Sequence, residues 1–411
     1  MNTSSPDILD ILKAILSQPT APFREQAVVR AVRRWADLRG VDMTQDAAGN
    51  VFLRCGQAGR ETPRWFFTAH VDHPGFIVVR SHRREVVAEF RGTVGKEYFG
   101  GARVRFFAPA AGVVTGTVGR AVRHEESPWL RWRVRLDSGA DLPAGTIGMW
   151  DLPAFAIRGG RIISRACDDV VGSAAVVCAM DRISRLRLKV NATGLLTRAE
   201  EAGFVGALAA CAAGSVPSDA WIVSIEASKA QPQAKLGDGV IIRVGDRMRT
   251  FDPTLTAHLA AVAGDLAKRD RGFRHVRQLM PGGTCESTVF QTWGYQAAAV
   301  CLPLANYHNM APGGRIAAEQ VNLNDFLSLV KLLVALAADA RRPEETDAAL
   351  RKRLTGLLSD RGKYLREGQG GEVRGEGESF ERPSTRTPRT SARRQEGKPL
   401  TPAFRKWFSG L

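Results

Sequence analysis

The stretch that most limits how this chain can fold is Leu195 to Ala207, LLTRAEEAGFVGA, in which an apolar run ends in two adjacent carboxylates, Glu200 and Glu201, and small residues follow. Asn191 to Thr197 reads as a buried strand. Gly203 to Ala212 reads as a helix whose small side chains let it lie close on a sheet, so the acid pair falls in a strand-to-helix turn. Open α/β sheets gather their ligands at such ends, because side chains far apart in sequence converge only there. Alone, the pair reads first as acids capping the next helix at the positive end of its dipole. The distinction rests on what stands at the ends of the other strands.

Ser5-Pro6-Asp7 predicts a helix start, with Ser5 as N-cap and Pro6 in the first turn, and a second helix runs from about Arg24 to Leu38 and stops at Gly40. DAAGNVFLRC is a turn entering a strand, and Arg64 to Ala69 is a strand that ends at His70, with Asp72 just beyond. From Phe76 to about Ile162, short alternating runs such as EVVAEF, WLRWRVRL and AFAIRGG, broken by Gly, Pro and polar turns, predict an all-β insertion in the form of a small barrel or sandwich. The α/β texture resumes at Arg161 to Ser164, and Asp168-Asp169 opens a helix of small and branched residues. A strand over Trp221 to Ile225 ends at Glu226, a Gly-rich turn spans Pro281 to Thr284, and the loop after a strand over Ala297 to Leu302 carries His308. Val321 to Ala340 predicts a closing amphipathic helix, and Glu344 to Leu358 one more.

The expected fold is therefore α/β. A mixed-sheet, helix-flanked catalytic domain takes 1–75 and 163–340, an inserted barrel-like all-β domain takes 76–162, and a basic, mostly disordered C-terminal tail takes 341–411. Apolar residues return only in the last segment, Phe404 to Leu411. The net charge of +16 is spread, with +7 from Arg341 onward, and forms no single basic patch, so no specific nucleic-acid partner is expected. No run of about 18 uncharged apolar residues appears, and the N-terminus lacks a basic region followed by an apolar one. Neither membrane insertion nor a signal peptide is expected. Six scattered cysteines, none at zinc-ribbon or redox spacing, fit small core residues in a reducing cytoplasm.

The residues at strand ends and turns are His70, Asp72, Asp168, Asp169, Glu200, Glu201, Glu226 and His308. Imidazole nitrogen and carboxylate oxygen suit divalent zinc. A pair of ions about 3.5 to 4 Å apart needs one bridging carboxylate, terminal ligands on each side and a free acid as base. Any one of these residues is unremarkable as a cap or a loop His; so many at strand ends point to a site.

These segments resemble the cocatalytic zinc exopeptidases, most closely the tetrahedral and glutamyl aminopeptidases. The likeness rests on AHVDHPGFIV at 69–78, CDDVVGSAAV at 167–176, TRAEEAGFVGA at 197–207, IVSIEAS at 222–228, PGGTCES at 281–287 and YHN at 307–309. It implies two divalent metal ions, zinc with cobalt or manganese as alternatives. His70 and Glu226 would hold one ion, Glu201 and His308 the other, and Asp168 would bridge them. Glu200 would be the catalytic base for a shared water, Asp72 would orient His70, and the peptide after Asp168 would be cis.

The implied activity is removal of N-terminal residues from short peptides by a homo-oligomer assembled through the β insertion. The alternatives are a related amidohydrolase, either a carboxypeptidase or an N-deacylase, and a non-catalytic binding protein. Three positions depart from the family pattern. His73 replaces the usual Glu, Glu226 the commoner Asp, and CES follows the GGT turn where Asp-Ala is usual. Substrate choice is therefore expected to turn on the surroundings of His73 and Glu286, and either Glu286 or an acid beside the metals is the candidate acceptor for the substrate's α-amino group.

Overall fold

A computed structural model of the chain describes residues 8–56, 64–108, 112–123 and 127–367. The expected helix start at Ser5-Pro6-Asp7 and the tail beyond 367, with Phe404 to Leu411, lie outside the described residues. In chain order, α1 (Ile8–Leu16) and α2 (Gln26–Arg39) precede β1 (Asp42–Gln45), β2 (Val51–Cys55) and β3 (Arg64–His70). Gly40 reverses the chain after α2 in the left-handed conformation, φ 62°, which costs a glycine little. Six strands follow: β4 (Gly75–His82), β5 (Glu85–Arg91), β6 (Arg103–Ala108), β7 (Gly112–Val122), β8 (Arg131–Leu136) and β9 (Ile147–Trp150). Next come β10 (Ala156–Arg158), β11 (Arg161–Ser164), α3 (Val170–Arg185), β12 (Asn191–Thr197), α4 (Val205–Ala212), β13 (Trp221–Lys229) and β14 (Val240–Arg243). The remainder is α5 (Pro253–Arg269), β15 (His275–Gln278), α6 (Glu286–Thr292), β16 (Gln296–Ala305), the small hairpin β17 (Met310–Ala311) and β18 (Arg315–Ile316), β19 (Glu319–Asn322), α7 (Leu323–Ala338), α8 (Pro343–Arg361) and α9 (Lys363–Glu367).

The fold is α/β, with a mixed sheet ordered β1-β2-β12-β3-β13-β16-β19-β11-β10 and a closed barrel ordered β4-β5-β8-β7-β6-β9. Four central strands, β12, β3, β13 and β16, run parallel and almost wholly buried, as expected of strands covered on both faces. Their carboxyl ends therefore lie side by side. The barrel has its own core around Phe76, Phe90, Phe99, Phe106, Trp132 and Trp150, with the Phe99 and Trp132 rings stacked 4.1 Å apart.

Three expectations change. The AFAIRGG segment does not belong to the barrel: β9 ends at Trp150, β11 pairs with β19, and β10 pairs with β11 as the edge strand of the large sheet. The strand at Trp221 does not stop before Glu226 but continues to Lys229, because its pairing with β16 persists to Leu304; only its pairing with β3 ends, at Ser224. The closing helix begins at Leu323, not Val321, because Asn322 caps it by accepting from the backbone N–H groups of Asn324 and Asp325, and residues 319–322 form a strand.

Candidate metal centre

Each candidate side chain is delivered by a different element. His70 ends β3, Glu200 and Glu201 follow β12, Glu226 lies on β13 beyond the point where it parts from β3, and His308 follows β16. Asp168 comes from the segment before α3, and its peptide bond to Asp169 is cis. The structure brings them into three overlapping groups whose ligand atoms lie within 4.8 Å of one another: His70 with Asp168 and Glu226, Asp168 with Glu201 and His308, and His70 with Glu200 and Glu201. The two oxygens of Asp168 divide between the histidines, Oδ1 lying 3.7 Å from His70 Nε2 and Oδ2 3.5 Å from His308 Nε2.

Both imidazoles are anchored through Nδ1, which turns Nε2 toward the carboxylates. His70 Nδ1 lies 3.1 Å from the backbone carbonyl of Asp72 and 3.4 Å from its carboxylate. That carboxylate also accepts the backbone N–H groups of Glu200 at 3.0 Å and Glu201 at 3.1 Å, so Asp72 ties the end of β3 to the acid turn as well as facing His70. His308 Nδ1 lies 2.6 Å from the Thr93 carbonyl, a contribution from the insertion that its lack of acid and His clusters did not foreshadow. Since a carbonyl only accepts, Nδ1 carries the hydrogen and Nε2 is left to the cluster.

Glu319 is a second residue missed in the sequence. It is fully buried and accepts from the backbone N–H groups of Cys167 at 2.6 Å, Asp168 at 3.0 Å and His308 at 2.8 Å, so one carboxylate holds two of the site's segments. An acid inside a short strand is its only sequence signal. The turn before Glu200 is braced in turn by buried Glu25, which accepts from Ala199 N at 3.2 Å and from the Arg198 guanidinium at 2.8 Å.

Two of the departing side chains, His73 and Glu286, are buried. His73 is buried, with Nδ1 2.6 Å from the Asp168 carbonyl and Nε2 3.0 Å from Asn309 Oδ1, so it supports the Asp168 segment from behind. Glu286 is 2% exposed and accepts from Thr68 Oγ1 at 2.9 Å.

The electrostatics are those of a place built for cations. Burial, reinforced by Asp168, pushes Glu226 up to about 8, and burial with the neighbouring acids pushes Glu200 well above the carboxylate range. Burial disfavours charge on His70 and His308, yet Glu200 beside the first and Glu201 beside the second outweigh it and raise both. Asp168 is held low despite burial by the two histidines. Asp168 Oδ1 and Glu201 Oε1 are buried with no hydrogen-bond partner among the described residues, although Glu201 Oε1 comes within 3.0 Å of His308 Nε2. Lone pairs and carboxylates facing one another without donors fit a divalent cation between them.

The family model for M42 glutamyl aminopeptidases matches residues 49–332. No curated protein sequence matches the chain. The fold is similar to that of an aminopeptidase from the archaeon Desulfurococcus kamchatkensis, with a TM-score of 0.68 at 21% identity over 83% of this chain and 97% of that one. It is similar to the TET aminopeptidase of a marine-sediment Thaumarchaeota archaeon, with a TM-score of 0.69 at 18% identity over 83% and 98%. It is similar also to the Pyrococcus horikoshii TET1 peptidase, described as able to assemble into a tetrahedron or a large octahedral shell, with a TM-score of 0.65 at 21% identity over 80% and 99%.

Proposed function

The chain belongs to the M42 glutamyl aminopeptidase family and is a metallo-exopeptidase, and from that premise we propose that it removes N-terminal residues from short peptides at the strand-end cluster, using two divalent metal ions. The observation that carries this reading is that Asp168 is shared by two ligand groups, one with His70 and Glu226 and one with Glu201 and His308. Those groups would hold one ion each, with Asp168 between them. Donors limited to nitrogen and oxygen favour zinc, with cobalt or manganese as substitutes.

When bound, the ions supply Lewis acidity that acidifies water and polarises the scissile carbonyl. The protein's own part is positioning and proton transfer. Glu200 Oε2 stands 3.8 Å from His70 Nε2. In the proposed assignment it stays free of metal, takes the proton of the attacking water and returns it to the leaving amine. Asp72 fixes the turn that presents Glu200, and Glu319 and Thr93 fix His308. The negative charge of the cluster draws the substrate's free ammonium.

Assembly of the Pyrococcus horikoshii protein supports a homo-oligomer here, and the inserted barrel is the contact module in this proposal. No helix among the described residues is long and apolar enough to cross a membrane, and all six cysteines are buried with no disulfide among them, which supports a cytoplasmic location. Metal analysis of the purified protein, coupled to a panel of aminoacyl-anilides and N-acyl amino acids, tests the reading. Bound divalent metal and hydrolysis of the aminoacyl-anilides are expected. Cleavage of only the N-acyl substrates would replace it with a deacylase or carboxypeptidase. A protein without metal or hydrolysis in added zinc, cobalt or manganese would be a binding protein.

A further inference from the structure

The helix α8 leaves the body of the protein with an apolar stripe that no other described residue covers. Its first turn is anchored on α5, where Thr254 Oγ1 donates to Asp347 at 2.7 Å and His258 Nδ1 lies 3.0 Å from Thr346 Oγ1. From Asp347 to Arg361 every residue is exposed. Gly362 keeps right-handed helical angles, φ −60° and ψ −25°, so the helix passes almost unbroken into α9. Leu350, Leu354, Leu357 and Tyr364 are 50%, 54%, 40% and 58% exposed. With Arg361 they follow the four-three-four-three spacing of a coiled-coil seam. A seam of this kind in water marks a surface that takes a partner.

The charge pattern selects the partner. The start of α8 carries Glu344, Glu345 and Asp347 without a base, whereas Arg351, Lys352, Arg353, Arg361 and Lys363 follow with Asp360 alone against them. A parallel pair of these helices would stack Arg361 on Arg361. An antiparallel pair centred between Thr355 and Gly356 sets Leu354 against Leu357 twice, covers Leu350 with the stem of Arg361, and faces Arg353 with Asp360 of the second helix twice. Arg353 and Asp360 are seven positions apart on one helix and cannot meet there, so their complementarity is of use only between chains. The family match ends at residue 332, before this helix begins.

We propose that α8 is a self-association element that pairs antiparallel with α8 of a second copy of this chain, with Leu354 packed on Leu357 and Arg353 paired with Asp360 across a two-fold axis. Cysteine cross-linking of the full chain tests this, since the six native thiols are buried. Leu354→Cys and Leu357→Cys chains, co-expressed and mildly oxidised, should give a disulfide-linked dimer on a non-reducing gel, at least several times more than either variant alone. The Arg353→Asp variant should suppress that band several-fold and Arg353→Asp with Asp360→Arg should restore it. All these positions are exposed, so folding is not at risk. Absence of the dimer from the mixed chains, as expected if the chain's own residues 368–411 cover the stripe, would overturn the proposal. So would equal cross-linking of Leu354→Cys alone, which a parallel pair produces, or failure of the charge swap to restore the band.

Discussion

The neighbouring carboxylates Glu200 and Glu201 have their backbone N–H groups pinned to the same acid, Asp72, while their side chains diverge toward different histidines, Glu200 to His70 at 3.8 Å and Glu201 to His308 at 3.0 Å, the arrangement on which the proposed division of roles rests. If Glu200 is the base and not a ligand, Glu200→Gln should keep its metal and lose about 10²- to 10⁴-fold in kcat. Metal content and steady-state rates measured on the same preparation check this, and unchanged turnover removes Glu200 from the mechanism. Asp168→Ala should instead lose metal. Glu319 tests the support of the site. Replacing it by Ala leaves three buried N–H groups without an acceptor, at roughly 1 to 3 kcal/mol each. Both thermal stability and resistance to a chelator should fall, and a variant of wild-type stability and metal affinity would show that water replaces the carboxylate. The acids at 200 and 201 were legible because they follow an apolar run. Glu319 was not, since AEQVNLN blends into the apolar periodicity of the following helix. Thr93 was not legible either, because it acts through a backbone carbonyl that every residue possesses.

At the level of elements, the small residues after the acid turn are a matter of distance. A Cβ on Gly206 would come within 2.4 Å of the Arg198 carbonyl, 2.5 Å of its nitrogen and 2.6 Å of Asn50 Oδ1. These are rigid neighbours: Asn50 Oδ1 accepts Arg198 N at 3.1 Å and Asn50 Nδ2 donates to the Gly206 carbonyl at 3.0 Å. Gly206→Ala should therefore push α4 off the strand end, cost about 1 to 3 kcal/mol and lower kcat by shifting Glu200. Gly264→Ala in α5, where nothing lies within 4 Å of the added carbon, should be neutral or stabilise by about 0.5 to 1 kcal/mol. Calorimetry of the two variants side by side checks both; equal melting temperatures would mean that the turn yields. The close approach of this helix was readable from its composition. The assignment of β10 and β11 was not, because a short alternating hairpin pairs equally well with a barrel or a sheet edge, and only the position of β19 decides between them.

For the molecule as a whole, the acid cluster links metal to stability. Burial raises Glu226 to about 8 and Glu319 to about 7, against 4.5 when unperturbed, and raises Glu200 as well. Over that interval the metal-free fold binds more protons than the unfolded chain, so its stability falls as pH rises. His70 and His308, raised above 6.5, act in the same sense: their contribution is full below the unfolded value and is lost as pH climbs through the folded one. Melting of chelator-treated protein should therefore drop between about pH 6 and about pH 8.5, and added zinc should stabilise more strongly toward the upper end as protons cease to compete. A metal-free melting temperature that rises across this range would overturn the account. The sequence by itself determined the kinds of donor present, their place beside apolar strands, and the separate texture of the insertion, because propensity and periodicity are local properties. Which atoms face one another was decided only by the tertiary structure. The sharing of Asp168 between two histidines, the reach of Thr93 from the barrel to His308, the burial of His73 behind Asp168 and the bond of Thr68 to Glu286 all depend on the register of strands far apart in the chain, where a shift of one residue turns a side chain to the opposite face.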